Sequence, residues 1–398
     1  MRVLLAATST LPDRMGGSER VIWHLAQGLG TRGHEVRILV PRTLPDRPPE
    51  SRIGRISIAR YDDRFHSFAT LYLSSLHAAR AAIQGTLSAW RPDVVHAHHS
   101  LSGLAASRAG CDRLYYTFYG PWHLEFLNEV AGRQGMGAFK RSTRSLWVPA
   151  KAALARCIER AAVKRSEALI VLSTYSRRQV AAVHRVEASR VALIPGGVDL
   201  ERFQPAMDRR DVRQSLGLPA DGRLLVTVRR LVPRMGLEGL LRALPELPGT
   251  RLVIGGDGML RPALERAVAT LGLSERVYFA GFVREDELPR YYQAADLVVL
   301  PSVALEGFGL ITLEALACGT PVVATPEGGA VDVLETLEPS WLAEDSSPRA
   351  IARAVERALA RAAGDPAIRD RCRAHAAEYS WDRMVAAHEM LYRPRRGV

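Results

Sequence analysis

The chain has no run of about 18 uninterrupted apolar residues, so no part of it reads as a membrane-spanning helix. Its cysteines, Cys111, Cys157, Cys318 and Cys372, are scattered and form no C-x-x-C pair. That argues against a disulfide framework or a structural zinc site and points to a reducing interior, hence the cytoplasm. No G-x-G-x-x-G fingerprint is followed by a distant acid, so a dinucleotide oxidoreductase is disfavoured. No D-x-D and no clustered His/Asp set stands out at a strand end, and no nucleic-acid reader module accompanies the basic charge. The apolar start Met1–Ala7 resembles a short signal core, but it stops at Thr8-Ser9-Thr10 and leads into a βα unit. It reads as a first strand.

What is present is bulk and alternation. A chain of 398 residues is too long for one ordinary core and predicts two domains. Apolar content of 47% and charged content of 24% suit a soluble globular protein. The net charge of +12 would attract polyanions at long range, although most of the excess is arginine, which high-GC coding alone can supply.

Arg2–Ala6 reads as a strand, followed by a loop with Gly16-Gly17. Ser18-Glu19 can cap a helix whose Val21, Ile22, Leu25 and Leu29 share one face, and Glu35–Val40 is the next strand. Asp93–His98, Arg113–Phe118 and Ala168–Ser173 continue the series. Pro195-Gly196-Gly197-Val198-Asp199 and Phe203-Gln204-Pro205 break the pattern and read as a hinge. A second series opens with Leu224–Val228 and runs through Arg251–Gly255, Val277–Ala280, Leu297–Leu300 and Pro321–Ala324. The fold class is therefore α/β, with two Rossmann-like halves and parallel sheets covered by helices. A cleft between the carboxyl ends of the two sheets is expected.

The segment Leu305–Gly329 carries the most chemistry. Glu306 and Glu314 stand eight residues apart around Gly307-Phe308-Gly309, after a buried strand and before an apolar helix. Backbone N–H groups and the positive helix end there suit phosphate, and two carboxylates suit the vicinal hydroxyls of sugars and riboses. Arg229-Arg230-Leu231-Val232-Pro233-Arg234-Met235-Gly236 places cations directly after a strand end.

This constellation resembles the E-x7-E signature of family-4 retaining glycosyltransferases, which have the GT-B fold of two Rossmann-like domains facing each other across a cleft. The resemblance extends along nearly the whole chain. It implies an acceptor-side domain over 1–195, a nucleotide-sugar domain over 196–379, and a terminal helix near 380–398 packing back on the first. It gives Glu314 to the ribose and Glu306 to donor-sugar hydroxyls, with the backbone of Phe308, Gly309 and Leu310 near sugar and phosphate. It sets Arg230 at the arginine of an R-x4-K phosphate clamp whose lysine falls on Met235, leaving Arg234 as the substitute. Gly16 and Gly17 would approach the donor, Gly258 would line the nucleotide side, and Val283 would lie where relatives hold the base. Tyr119 falls where relatives carry a sugar-contacting histidine, and His98 and His123 are candidates to reach the cleft, or else structural. The Trp122 and Phe126 rings could stack on a sugar or belong to the core. The retaining chemistry implied needs no metal, no cofactor and no protein nucleophile; the departing diphosphate itself takes the acceptor proton.

The partners expected are a nucleotide-sugar donor, a UDP-sugar first, and a glycolipid, polysaccharide or small-molecule acceptor, as in cell-envelope or glycan synthesis. Phe139–Arg165 gathers Lys140, Arg141, Arg144, Lys151, Arg156, Arg160, Lys164 and Arg165 against Glu159, with Trp147, Val148, Leu154 and Ile158 interleaved. Such a segment suits peripheral contact with the anionic inner face of a membrane, or else a packed helix with a solvated basic face. Nucleic acid is not an expected partner. The rival readings are a sugar-nucleotide epimerase of the same fold and a non-catalytic sugar-nucleotide-binding protein, the latter kept open by Met235 and Tyr119.

Overall fold

The first strand is an unbroken apolar run because both faces of its sheet are covered. Val3, Leu4, Leu5 and Ala6 are all buried in the computed structural model, which describes residues 1–14, 16–63, 71–135 and 147–393. Among these residues the first sheet comprises β1 (Arg2–Ala6), β2 (Glu35–Pro41), β3 (Glu50–Ile53), β4 (Ile56–Tyr61), β5 (Val94–Ala97), β6 (Leu114–Thr117), β7 (Ala168–Val171) and β8 (Val191–Leu193). Their order is β3-β4-β2-β1-β5-β6-β7-β8, and every pair is parallel except β3 with β4. The second sheet comprises β9 (Arg223–Val228), β10 (Thr250–Gly255), β11 (Val277–Gly281), β12 (Leu297–Leu300) and β13 (Val322–Ala324). It is wholly parallel, in the order β11-β10-β9-β12-β13.

The described residues fall into two compact units. One draws on Met1–Leu124, Ser145–Gly197 and Trp381–Val398, the other on Glu125–Arg144 and Val198–Ser380. Each strand expected from the sequence is present, its ends within two residues. β3, β4 and β8 were not legible. In β4 the inward positions are Ile56, Ile58 and Arg60, and a buried arginine spoils the apolar alternation that marks a strand. Arg60 is accommodated by Asp13, which accepts from Nε at 2.6 Å and Nη2 at 2.9 Å.

In the first unit, helix Gly17–Thr31 buries Val21, Ile22, Leu25 and Leu29. It begins at Gly16, without a side-chain cap; Ser18 donates instead to Glu19 at 2.8 Å, so the expected capping by Ser18 does not form. The terminal helix Trp381–Tyr392 packs on this helix. A Cβ at Gly28 would lie 2.4 Å from Val385, Trp381 stacks on His24 at 4.2 Å, and Arg32 donates to Asp382 and Glu389.

The basic segment divides. Lys140, Arg141 and Arg144 lie outside the described residues, and helix Trp147–Arg165 contains the remainder. Its Ile158, Ala162 and Val163 are buried in the first core, with Leu154 packed against them, and Lys151 is buried too. Arg156, Arg160, Lys164 and Arg165 are exposed. The described apolar stripe is therefore taken up by packing, and only the basic face is left to solvent. No helix among the described residues is long and apolar enough to cross a membrane.

Candidate functional site

In each unit the strand order reverses its direction of travel beside the first strand of its series. In open parallel sheets such a switch point, outside the carboxyl strand ends, is where ligands bind. In the second unit it lies between β9 and β12. The turn after β9 carries Arg229 to Gly236, and the turn after β12 carries Pro301 to Gly309.

These two turns are locked together. Gly236 has φ +69°, and a Cβ there would come within 1.7 Å of the Pro301 carbonyl oxygen. Val303 N–H donates to the Arg234 carbonyl at 2.9 Å, and Arg234 Nη1 donates to the Leu305 carbonyl at 2.9 Å. Leu305 has φ +57°, a conformation that L residues adopt only when their surroundings hold them. Arg234, expected to grip phosphate, thus spends one end of its guanidinium bracing the Glu306 turn. Met235, at the clamp's lysine position, is buried. Arg230 is exposed at the strand end.

Arg229, beside it, is the residue that sequence reasoning passed over. Its side chain is 2% exposed, and Nη2 donates to Glu306 Oε2 at 2.5 Å and to Ser302 Oγ at 2.9 Å. Ser302 in turn donates to the same Oε2 at 3.3 Å. Burial pushes the Arg229 guanidinium below its ordinary value, and the Glu306 charge opposes this. The signal available was the doubled arginine itself, but nothing local says that the first turns inward.

Glu314 lies on helix Leu310–Ala317 and is 4% exposed, accepting from the buried Tyr292 hydroxyl at 3.1 Å. The helix begins at Gly309 with no side-chain cap. Phe308 is buried, its ring 6.5 Å from that of Tyr379, and Leu310 is buried, so both present backbone rather than side chain. Gly258 has φ +157°, and a Cβ there would sit 2.6 Å from the Leu231 carbonyl oxygen. Its missing side chain is explained by the Arg229–Leu231 turn lying on it. Val283 is buried 2.8 Å from where a Gly255 Cβ would stand.

In the first unit the switch point lies between β1 and β5. Gly16 and Gly17 open the helix after β1. A Cβ on Gly16 would meet Glu19 Oε2 at 2.4 Å, so the glycine makes room for a buried carboxylate that accepts from Ser9 and Ser18. His98 follows β5, buried, its Nδ1 2.9 Å from the Tyr119 hydroxyl; Nε2 is buried without a partner among the described residues. Burial, then the neighbouring His388, depresses His98 to about 3, and burial raises the Tyr119 hydroxyl well above its usual range. His98 and Tyr119 are thus brought together. His123 is not. Its Nδ1 lies 3.1 Å from Glu159, whose other oxygen faces His184 Nε2 at 2.8 Å, and Glu159 is fully buried. A histidine tied to a buried acid on another helix fits the structural one of its two expected readings. Trp122 likewise packs edge-on against Tyr72 and His99 beside the core.

Two family models match: glycosyltransferase family 4 over residues 15–202, and glycosyl transferases group 1 over 208–378. The D-inositol 3-phosphate glycosyltransferase of Mycobacterium leprae (strain Br4923) is 32% identical over 392 residues, covering 95% of this chain and 88% of its own. The chain belongs to glycosyltransferase family 4. Its fold is GT-B, and it is a glycosyltransferase that uses a nucleotide-sugar donor. Sucrose-phosphate synthase from Thermosynechococcus elongatus superposes with a TM-score of 0.82 at 24% identity, covering 98% of each chain. Anabaena HepE, solved with UDP-glucose, gives 0.74 at 20% identity, covering 98% of this chain and 100% of its own. For this glycosyltransferase, then, the second unit gathers Arg230, Arg234, Glu306, Phe308, Gly309 and Leu310 around one switch point. Glu314 stands one to two turns along the helix that starts there.

Proposed function

We propose that this glycosyltransferase moves a hexose from a UDP-sugar to an acceptor hydroxyl with retention, using no metal. The observation that carries the reading is the pair Glu306 and Glu314 flanking an uncapped helix start at the switch point, with Arg230 exposed beside it. Glu314 would take the ribose hydroxyls and Glu306 those of the donor sugar. Arg230 and the positive end of helix Leu310–Ala317 would neutralise the diphosphate. The bond from the anomeric carbon to the diphosphate oxygen breaks, and a bond to the acceptor oxygen forms on the same face. The acceptor proton passes to the departing diphosphate. His98 and Tyr119 are the first unit's candidates for contact with the sugar.

The Mycobacterium leprae relative is named for an inositol phosphate acceptor, and a net charge of +12 suits an anionic polyol. Polyol phosphates therefore head the acceptor screen, ahead of glycolipid and polysaccharide. Met235 at the clamp's lysine position favours one other reading, a protein that binds the donor and leaves it intact.

Thermal shift with nucleotides and nucleotide-sugars, with and without EDTA, tests the proposal. Stabilisation by UDP and one UDP-sugar, unchanged by EDTA, is expected. Stabilisation by another nucleotide alone would overturn the donor. Donor bound but unconsumed with every acceptor would favour the non-catalytic reading, and silence throughout would remove the donor site itself.

A further inference from the structure

Two features of Arg229 do not serve folding. Its Nε and Nη1 are buried without a partner among the described residues, while only Nη2 is bonded. A guanidinium withdrawn from water with most of its donors unmet is a net cost, and an apolar side chain at that strand end would remove the cost. Rules of this kind are broken where a site needs them broken. What the charge does here is specific. Both side-chain bonds that Glu306 receives, from Arg229 and from Ser302, fall on Oε2, which leaves Oε1 without a partner among the described residues.

The Glu306 backbone is held as firmly. Gly329 N–H donates to its carbonyl at 3.1 Å, and Gly328 bridges it with so little room that a Cβ there would lie 2.6 Å from Glu306 Cβ. Behind it, Arg234 holds the carbonyl of the left-handed Leu305. A carboxylate on a two-methylene stem has several rotamers, and fixing one oxygen selects among them. At 17% exposure the side chain is still reachable from solvent.

We propose that Arg229, assisted by Ser302, is a positioning residue that fixes Glu306 Oε2 so that Oε1 meets the hydroxyls of the donor sugar. The proposal rests on the donor-site reading above. A lysine could supply the charge and reach both acceptors, but from a flexible stem rather than a rigid planar fork.

Calorimetric titration of the full chain tests it, with UDP and with UDP-glucose, UDP-galactose and UDP-N-acetylglucosamine as probes. Arg229→Met should bind UDP within about twofold of the wild type, and bind the preferred UDP-sugar about tenfold more weakly, as for one lost charged hydrogen bond. Arg229→Lys should recover part of that loss. In a Glu306→Gln background, Arg229→Met should cost nothing further, because the two act as one unit. If Arg229→Met does not fold, Ser302→Ala is the second probe and should show the same sugar-selective loss. Equal weakening of UDP and UDP-sugar, or additive losses in the double variant, would overturn the proposal. A wild type that binds none of the four ligands would instead remove the donor-site reading, and the proposal with it.

Discussion

Glu314 and Arg230 differ in burial, and that difference sets what each can be expected to do. Glu314 is enclosed and accepts from Tyr292, so in the proposed reading its carboxylate is held ready for a pair of hydroxyls. Arg230 is exposed and would act as a cation. Replacing either by alanine should weaken UDP binding by about 1–3 kcal/mol, the scale of a lost charged hydrogen bond. Calorimetry with UDP checks this, and unchanged affinity in both variants would displace the nucleotide site. The histidines show where residue-scale reasoning from sequence stops. His98 and His123 each follow a strand by a short distance and look equivalent in the sequence. Only the fold reveals that the second is tied to Glu159, 36 positions away.

At the scale of elements, the terminal helix Trp381–Tyr392 is joined to the first sheet by a buried polar cluster. His96 Nδ1 lies 2.5 Å from the Tyr392 hydroxyl and Nε2 lies 2.7 Å from Thr117; the His98 ring is 4.1 Å from His96, and the His388 ring 5.5 Å. Burial holds His96 well below its ordinary value, His98 at about 3 and His388 at about 4. The unfolded chain protonates these rings near pH 6.5, whereas in the folded chain His388 takes its proton only near pH 4 and His98 near pH 3, and His96 is shifted in the same direction. Stability should therefore be full above about pH 6.5 and fall as pH drops from there toward 4, by up to about 1.4 kcal/mol per pH unit for each ring. Urea midpoints from pH 7.5 to 4.5 measure this. His388→Phe should flatten the dependence, and an unaltered slope would mean that the cluster is not its source.

Helix Trp147–Arg165 illustrates the same limit in the other direction. Its composition is that of an interfacial helix, but periodicity alone does not say which medium the apolar stripe meets. Here Ile158, Ala162 and Val163 meet the core.

At the scale of the whole molecule, which carries a net charge of +12, helix Trp147–Arg165 exposes four cations, Arg156, Arg160, Lys164 and Arg165. We propose that adsorption to membranes, where it occurs, is electrostatic rather than insertive. Flotation should then succeed with anionic vesicles, fail with neutral ones, and be abolished by 0.5 M salt, at which the Debye length is roughly 4–5 Å. Equal flotation with both lipids would reject it. The four-residue Gln variant should lose the anionic preference.

The sequence by itself determined the class of fold and singled out the turns at which the site is proposed. Parallel strands buried on both faces must be apolar runs, helices between them must carry a 3.6-residue stripe, and a tight turn that meets another backbone must be glycine. Those constraints are local, so they are written in consecutive residues such as Val3–Ala6 and Gly256-Asp257-Gly258. Tertiary structure alone decided the rest. Arg229 rather than Arg230 turns inward to Glu306, Arg234 braces Leu305, and Glu159 binds His123 and His184. Each is a pairing between residues 25 to 77 positions apart, chosen by which turns and helices the sheet order makes neighbours. No local pattern records that choice, because either member of each pair would satisfy its own element equally well alone.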